Sequence, residues 1–319
     1  MKEVFILTEG GSKYGYGHIT RCSALYDEIL KQGANPVFYL RGDPEPSYTG
    51  KRTTNFTDWN DKNFIKNISS DTYIIIDSYN ADYQFCNELV IQAKRVLFID
   101  DNNRLDYPGG IIVNPSLYGK NIDYTESKTQ DLLLGPEYII LRPEFTSSPR
   151  KFNQKVSRVL ITMGGADIRN LTPLFLNMIN DISNDIIIDV VIGPGFENVD
   201  KITKASTRLT NLHFNVDSSQ MSELMKISDF AISASGQTIH ELLFNKIPFI
   251  AVNVIDNQNN NFNALKSISS GNIFTYYHNE ILSIDLNQIF NSINFNTAPS
   301  SIEIDNKGTF RIIKKLLEI

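Results

Sequence analysis

The sequence predicts an α/β protein made of two doubly wound domains that face each other across a cleft. Short β-branched runs alternate with amphipathic helical segments throughout, the pattern of parallel sheets flanked by helices. The order strand, Gly-rich turn, helix begins twice, at Gly15 and again at Gly164-Gly165. A length of 319 residues also exceeds one comfortable core and matches two domains of about 150 residues each.

Taken in chain order, strands are expected at Val4–Leu7, Pro36–Leu40, Tyr73–Ile76, Val96–Ile99 and Ile111–Val113. After the first comes a helix from about His18 to Gln32, with Ile19, Cys22, Leu25, Ile29 and Leu30 on one stripe and Gly33 as its stop. Residues 145–154 carry Ser, Pro and charge without an apolar period, so they read as a linker between domains at 1–145 and 155–305. Strands of the second domain read Val159–Thr162, Ile186–Ile192, Leu212–Phe214, Phe230–Ser233 and Phe249–Val252. The polar run Asn257–Asn263 leads into Ala264, Leu265 and Ile268 at helical spacing, so it is a helix entry rather than a disordered tract. Residues 306–319 form a closing amphipathic helix through Phe310, Ile312, Ile313, Leu316 and Leu317.

Composition excludes several function classes. A formal charge of −6 argues against a nucleic-acid partner, which demands a basic face. Cys22 and Cys86 show no C-x-x-C spacing and fit a reducing cytoplasm. Met1-Lys2-Glu3 runs directly into a strand without a signal-peptide core, and no stretch approaches the ~20 apolar residues of a membrane span. A cytoplasmic protein with no integral membrane segment is therefore expected. The absence of a G-x-x-x-x-G-K-S/T loop counts against an ATPase. Asp100 and Asp101 invite a metal, yet no third ligand stands at a recognisable spacing, and neighbours at a strand end point to opposite faces. Neither a metal site nor a cofactor is expected.

Two segments carry the chemistry, Gly15–Arg21 and Ile232–Glu241. Each opens a helix just after a strand, where unpaired N–H groups and the positive dipole end suit phosphate or a developing anion. In the first, Gly17 lets backbone approach a ligand closely. His18 follows at the helix start, where the dipole disfavours an imidazolium and leaves the neutral ring that a general base needs. A local hydrogen bond at the helix terminus is the competing reading. Arg21, one turn later, faces either the same ligand or solvent.

In the second segment, Ser235, Gly236, Gln237 and Thr238 leave hydroxyls and amides free to grip a diphosphate. Glu241 suits ribose hydroxyls or caps its own helix. Gly164 and Gly165 either cradle charge or make an ordinary turn. Asp256-Asn257-Gln258 closes the next strand, as a sugar-contacting turn or as a helix cap. Asp77-Ser78-Tyr79 and Asp100-Asp101-Asn102 end strands of the first domain in the same way and are candidates to line its side of the cleft.

In order and spacing, the chain resembles a known family through Gly17-His18-Ile19-Thr20-Arg21-Cys22, Asp77-Ser78-Tyr79, Ile99-Asp100-Asp101, Leu134–Tyr138, Leu141–Phe145, Thr162–Asp167 and the Ser233–Gln258 block. That family is the UDP-2,4-diacetamido-2,4,6-trideoxy-β-L-altropyranose hydrolases of pseudaminic acid biosynthesis, which look like GT-B glycosyltransferases with two Rossmann-like domains. The resemblance implies metal-independent hydrolysis of a UDP-sugar, with water attacking the anomeric carbon and inverting it. It further implies that His18 activates the water and that Gly17, Arg21, Tyr79, Asn257 and Gln258 meet the sugar. The turn from Ser235 to Glu241 would hold the nucleotide. Tyr16, Gln237 and His240 depart from the family pattern, at positions where glycine, serine and tryptophan are usual. Two rival readings are a GT-B glycosyltransferase with the same donor grip and a non-catalytic nucleotide-sugar-binding protein.

Overall fold

The computed structural model describes residues 2–11, 14–43, 49–129, 131–146, 153–197, 199–216 and 220–318. The chain divides into two compact units, Met1–Pro143 with Asp305–Ile319, and Glu144–Ile304. Most of the expected linker, residues 147–152, lies outside the described residues.

The first unit runs β1 Glu3–Gly10, α1 Gly17–Lys31, β2 Asn35–Gly42, β3 Thr54–Phe56, α2 Lys62–Lys66, β4 Tyr73–Asp77, α3 Tyr83–Gln92, β5 Arg95–Ile99, β6 Ile111–Asn114 and β7 Asp131–Leu134. Its sheet has the order β3-β2-β1-β4-β5-β6-β7. Every neighbouring pair is parallel. Covering both faces of such a sheet requires near-continuous apolar strands, and all five residues of β4 are buried. Strand order reverses between β1 and β4, the switch point beside which doubly wound sheets bind ligands at their carboxyl ends. The helix α1 starts there.

The second unit runs β8 Arg158–Thr162, α4 Thr172–Asn180, β9 Ile187–Ile192, α5 Val199–Ser206, β10 Leu212–Val216, α6 Met221–Ile227, β11 Phe230–Ala234, α7 Thr238–Phe244, β12 Phe249–Asn253, α8 Asn259–Ile268, β13 Ile273–Tyr277 and α9 Leu286–Ser292. Its parallel sheet has the order β10-β9-β8-β11-β12-β13, with the switch between β8 and β11. Both units are doubly wound and Rossmann-like. Among the described residues, no helix is long and apolar enough to cross a membrane.

Helix α1 ends where Gly33, at φ +79°, takes a left-handed conformation. The bonds Ala34 N–H to Ile29 O (3.1 Å) and Gly33 N–H to Leu30 O (3.0 Å) form the paired closure typical of such ends. Leu30 departs from the expected buried stripe, being 53% exposed, because α1 offers the core a face centred on Cys22, Leu25 and Ile29.

The last helix, α10 Gly308–Leu317, belongs to the first unit. Ile312, Ile313, Leu316 and Leu317 join the cluster of Cys22, Leu25 and Ile29, whereas Phe310 stays 46% exposed. Polar bonds fix its far end, from Arg95 Nη1 to Lys315 O (2.9 Å) and from Lys2 Nζ to Leu317 O. A Cβ at Gly308 would sit 2.0 Å from Ile139 O, so only glycine allows the close approach there. Gly308→Ala should lower stability by about 1–3 kcal/mol, read as a reduced urea midpoint at unchanged m-value. An unchanged midpoint would show that the backbone at Ile139 yields freely.

Candidate active site

Gly17, exposed and with open space around its α-carbon, begins α1 and hands the chain to His18. The preceding turn is closed by reciprocal backbone bonds between Gly11 and Gly15, of 3.1 and 2.8 Å. Ring nitrogen Nδ1 of His18 lies 2.7 Å from Oδ1 of Asp77, the last residue of β4. Arg21, one turn along α1, donates from Nε to Asp77 Oδ2 (2.6 Å) and from Nη2 to Asp77 Oδ1 (2.6 Å). Its Nη1 reaches both oxygens of Asp101, at 3.0 and 2.7 Å. Tyr79 packs edge-on against the His18 ring, with centroids 4.8 Å apart, and donates its hydroxyl to Asp101 Oδ2 (3.3 Å). Three sequence motifs thus converge in one network. His18, Arg21, Asp77 and Asp101 are all buried, while Tyr79 is 44% exposed.

Burial alone would raise the Asp77 carboxyl, but the Arg21 guanidinium and His18 outweigh it and hold the group well below the usual carboxylate range. Burial opposes the Arg21 charge in the same way, and the Asp101 and Asp77 carboxylates overcome it. For Tyr79, burial and the Asp101 charge push the phenol up, so it acts as a donor. Since an ionised carboxylate only accepts, the bond between them places a His18 proton on Nδ1, facing Asp77. Sequence reading left Arg21 facing ligand or solvent. The structure instead engages its fork with two carboxylates.

Glu9, not singled out from sequence, supports the loop that carries Tyr79. It is 1% exposed and accepts from Ser78 Oγ (2.5 Å) and Asn80 Nδ2 (2.6 Å). Its only sequence signal is a carboxylate closing an apolar strand before Gly10-Gly11. Asp100 turns away from Asp101 and accepts the N–H groups of Asn102 and Arg104, both at 2.9 Å. The pair serves two separate purposes.

The second unit gathers its candidates at the carboxyl ends of β8, β11 and β12, which are adjacent in the sheet. Contrary to expectation, the Ser235 N–H is not free: the ladder with β12 runs one residue past β11, and this amide donates to Val252 O (2.9 Å). N–H groups of Gly236, Gln237 and Thr238 precede the internal bonds of α7 and have no acceptor among the described residues. A Cβ at Gly236 would meet only Gln258 Nε2, at 3.8 Å, which sets Gln258 beside this turn. Gln258 is oriented by accepting Val254 N–H (3.2 Å), and Asn257 next to it is exposed. Glu241 is buried in the first turn of α7.

Gly164 and Gly165 sit before α4, whose first N–H groups are already satisfied by Asp167, from Leu171 (2.8 Å) and Thr172 (2.7 Å). A second anion gains little from that helix start. The same loop sends Arg169 to Val254 O (3.0 Å), bringing a guanidinium to the end of β12 that sequence reading overlooked. It also overlooked Asn253 and Asn261. Their Oδ1 atoms and Ser235 Oγ are buried without a partner among the described residues, and Asn261 Nδ2 reaches Ser235 O (3.4 Å). Polar residues after an apolar strand look like turn chemistry, so no stronger signal marked them.

No protein-family model matches the chain. It is 30% identical over 271 residues to uncharacterized protein MJ1062 of Methanocaldococcus jannaschii, covering 78% of this chain and 55% of that protein. The chain thus spans about half the length of that relative. It is 24% identical over 267 residues to the UDP-2,4-diacetamido-2,4,6-trideoxy-β-L-altropyranose hydrolase of Campylobacter jejuni, covering 80% of this chain and 93% of that one. Among solved structures, MurG of Acinetobacter baumannii matches with a TM-score of 0.67 at 13% identity, over 100% of both chains. The two parallel α/β units and this likeness define a GT-B-like protein. By sequence, the chain is similar to proteins named UDP-2,4-diacetamido-2,4,6-trideoxy-β-L-altropyranose hydrolase, the family that its motifs resemble.

Proposed function

We propose that this chain hydrolyses a UDP-linked diacetamido-trideoxyhexose to UDP and the free sugar, within pseudaminic acid or related surface-glycan biosynthesis. The observation that carries the reading is the His18–Asp77 pair at the switch point of the first sheet. His18 Nε2 takes a proton from water as the water oxygen bonds to the anomeric carbon. The bond from that carbon to the diphosphate oxygen breaks, inverting the centre, and the electron pair leaves with UDP. Asp77 steadies the imidazolium formed.

The carboxy-terminal unit grips the nucleotide. N–H groups of Gly236, Gln237 and Thr238 meet the charge that develops on the diphosphate, joined by Arg169. Ser235 and Glu241 belong to the same grip, Glu241 toward the ribose, with Gly164 and Gly165 at its margin. Gly17, Tyr79, Asn257 and Gln258 contact the sugar, and Arg21 serves it indirectly by fixing Asp77. No metal takes part in this scheme. Gly236→Asp, which sets a carboxylate among the free amides, should weaken UDP binding at least about tenfold in a calorimetric titration. Unaltered affinity would remove this turn from the grip.

The reaction itself is tested by incubating protein with the UDP-sugar alone in ¹⁸O-labelled water. UDP release with label on the sugar's anomeric hydroxyl supports hydrolysis at carbon, and label on UDP would overturn that route. Because the fold is shared with glycosyltransferases, transfer is the second reading. UDP release only after adding a glycan acceptor would establish it. Saturable binding with no product would make the chain a binding protein.

A further inference from the structure

We infer that Asp101 is a positioning residue for His18, acting through Arg21; this rests on His18 being the base. A guanidinium is a rigid planar fork, so where one edge is held decides where the other points. Asp101 holds Nη1 with both oxygens, at 3.0 and 2.7 Å. That leaves Nε and Nη2 facing Asp77, each at 2.6 Å. Asp77 Oδ1 then receives Arg21 Nη2 and His18 Nδ1 together, which fixes the tautomer and the ring plane. Tyr79 gives a parallel link, with its hydroxyl on Asp101 and its ring on His18. Among the described residues, the set is also faced by the Cys22 thiol, 3.5 Å from Asp77 Oδ2, by Thr8, whose hydroxyl donates to Asp77 O (3.2 Å), and by Tyr118 beside Tyr79.

Charge leads to the same residue. With His18 neutral, Arg21, Asp77 and Asp101 sum to −1, and the proton taken from water brings the set to zero. Without the Asp101 charge, the same step would run from zero to +1 in a buried site, where an unbalanced charge is costly. The Arg21 charge would also fall wholly on Asp77 and draw density from the oxygen that supports His18. Asp101 thus supplies the negative charge that the imidazolium requires, although it does not touch the ring.

The experiment compares Asp101→Asn, Arg21→Lys and the double variant with wild type. Hydrolysis of UDP-2,4-diacetamido-2,4,6-trideoxy-β-L-altropyranose should lose about tenfold in kcat for Asp101→Asn, with KM and UDP affinity within about twofold. Arg21→Lys, which keeps the buried charge but loses the fork, should give a similar loss, and the double variant should be no worse than the poorer single one. Nitrogen-15 spectra of the four histidines, with His18 assigned by its loss in His18→Asn, should show the Nδ1–H tautomer in wild type and a mixture in Asp101→Asn. If Asp101→Asn does not fold, Arg21→Lys decides by the same two readouts. Wild-type kcat and an unchanged tautomer in the folded variant would overturn the inference. Should His18→Asn itself still hydrolyse substrate, the base assignment fails instead, and the two failures stay distinct.

Discussion

His18→Asn should reduce kcat about a thousandfold, the middle of the range for losing a general base, while UDP binds with unchanged affinity. Asparagine keeps a polar group near Asp77 but offers no basic nitrogen where Nε2 stood. The side chain belongs to the amino-terminal unit, whereas the nucleotide grip is assigned to the carboxy-terminal one, so chemistry and binding should separate cleanly. Single-turnover kinetics paired with a calorimetric UDP titration reads both quantities. Turnover within tenfold of wild type would remove His18 from the chemical step.

Asp77→Ala should be the most destabilising single change at this site, costing about 3–5 kcal/mol, because it strips the buried Arg21 of its bidentate partner and leaves His18 Nδ1 unmatched. The effect has a pH signature. Asp77 is held below its unfolded-state value of about 3.9. Its contribution to stability is therefore complete above that value and is lost as pH falls below it toward the folded-state value. Urea unfolding of wild type and variant should give curves well separated at neutral pH that draw together in acid below about pH 4. A gap that stays constant through that range would mean that Asp77 stabilises the fold by packing rather than by charge.

Much of the fold is legible in the chain because central strands of parallel sheets are buried on both faces and stand out as apolar runs. All ten strands expected from sequence are present. The three that were missed, β3, β7 and β13, are edge strands. Each is half solvated: β3 has no buried residue, while β7 and β13 have one each. Their composition therefore blends with that of loops.

At the site, the glycines preceding His18 were visible as a helix entry, and Asp77 and Asp101 as strand ends. That Arg21 would join them across separations of 56 and 80 residues is a tertiary fact that no local spacing encodes. The same limit explains Ser235. Whether its amide is free depends on how far the neighbouring strand extends, and β12 extends far enough to take it.

The helix at residues 308–317 has a consequence for biogenesis. It completes the apolar interior around Cys22 and Ile29 only after the whole of 144–304 has been synthesised. During translation, residues 1–143 therefore carry an uncovered greasy flank until residues 308–317 emerge to cover it. Cutting the gene at residue 143 would yield an aggregation-prone fragment. Appending residues 305–319 to it through a flexible tether should restore solubility.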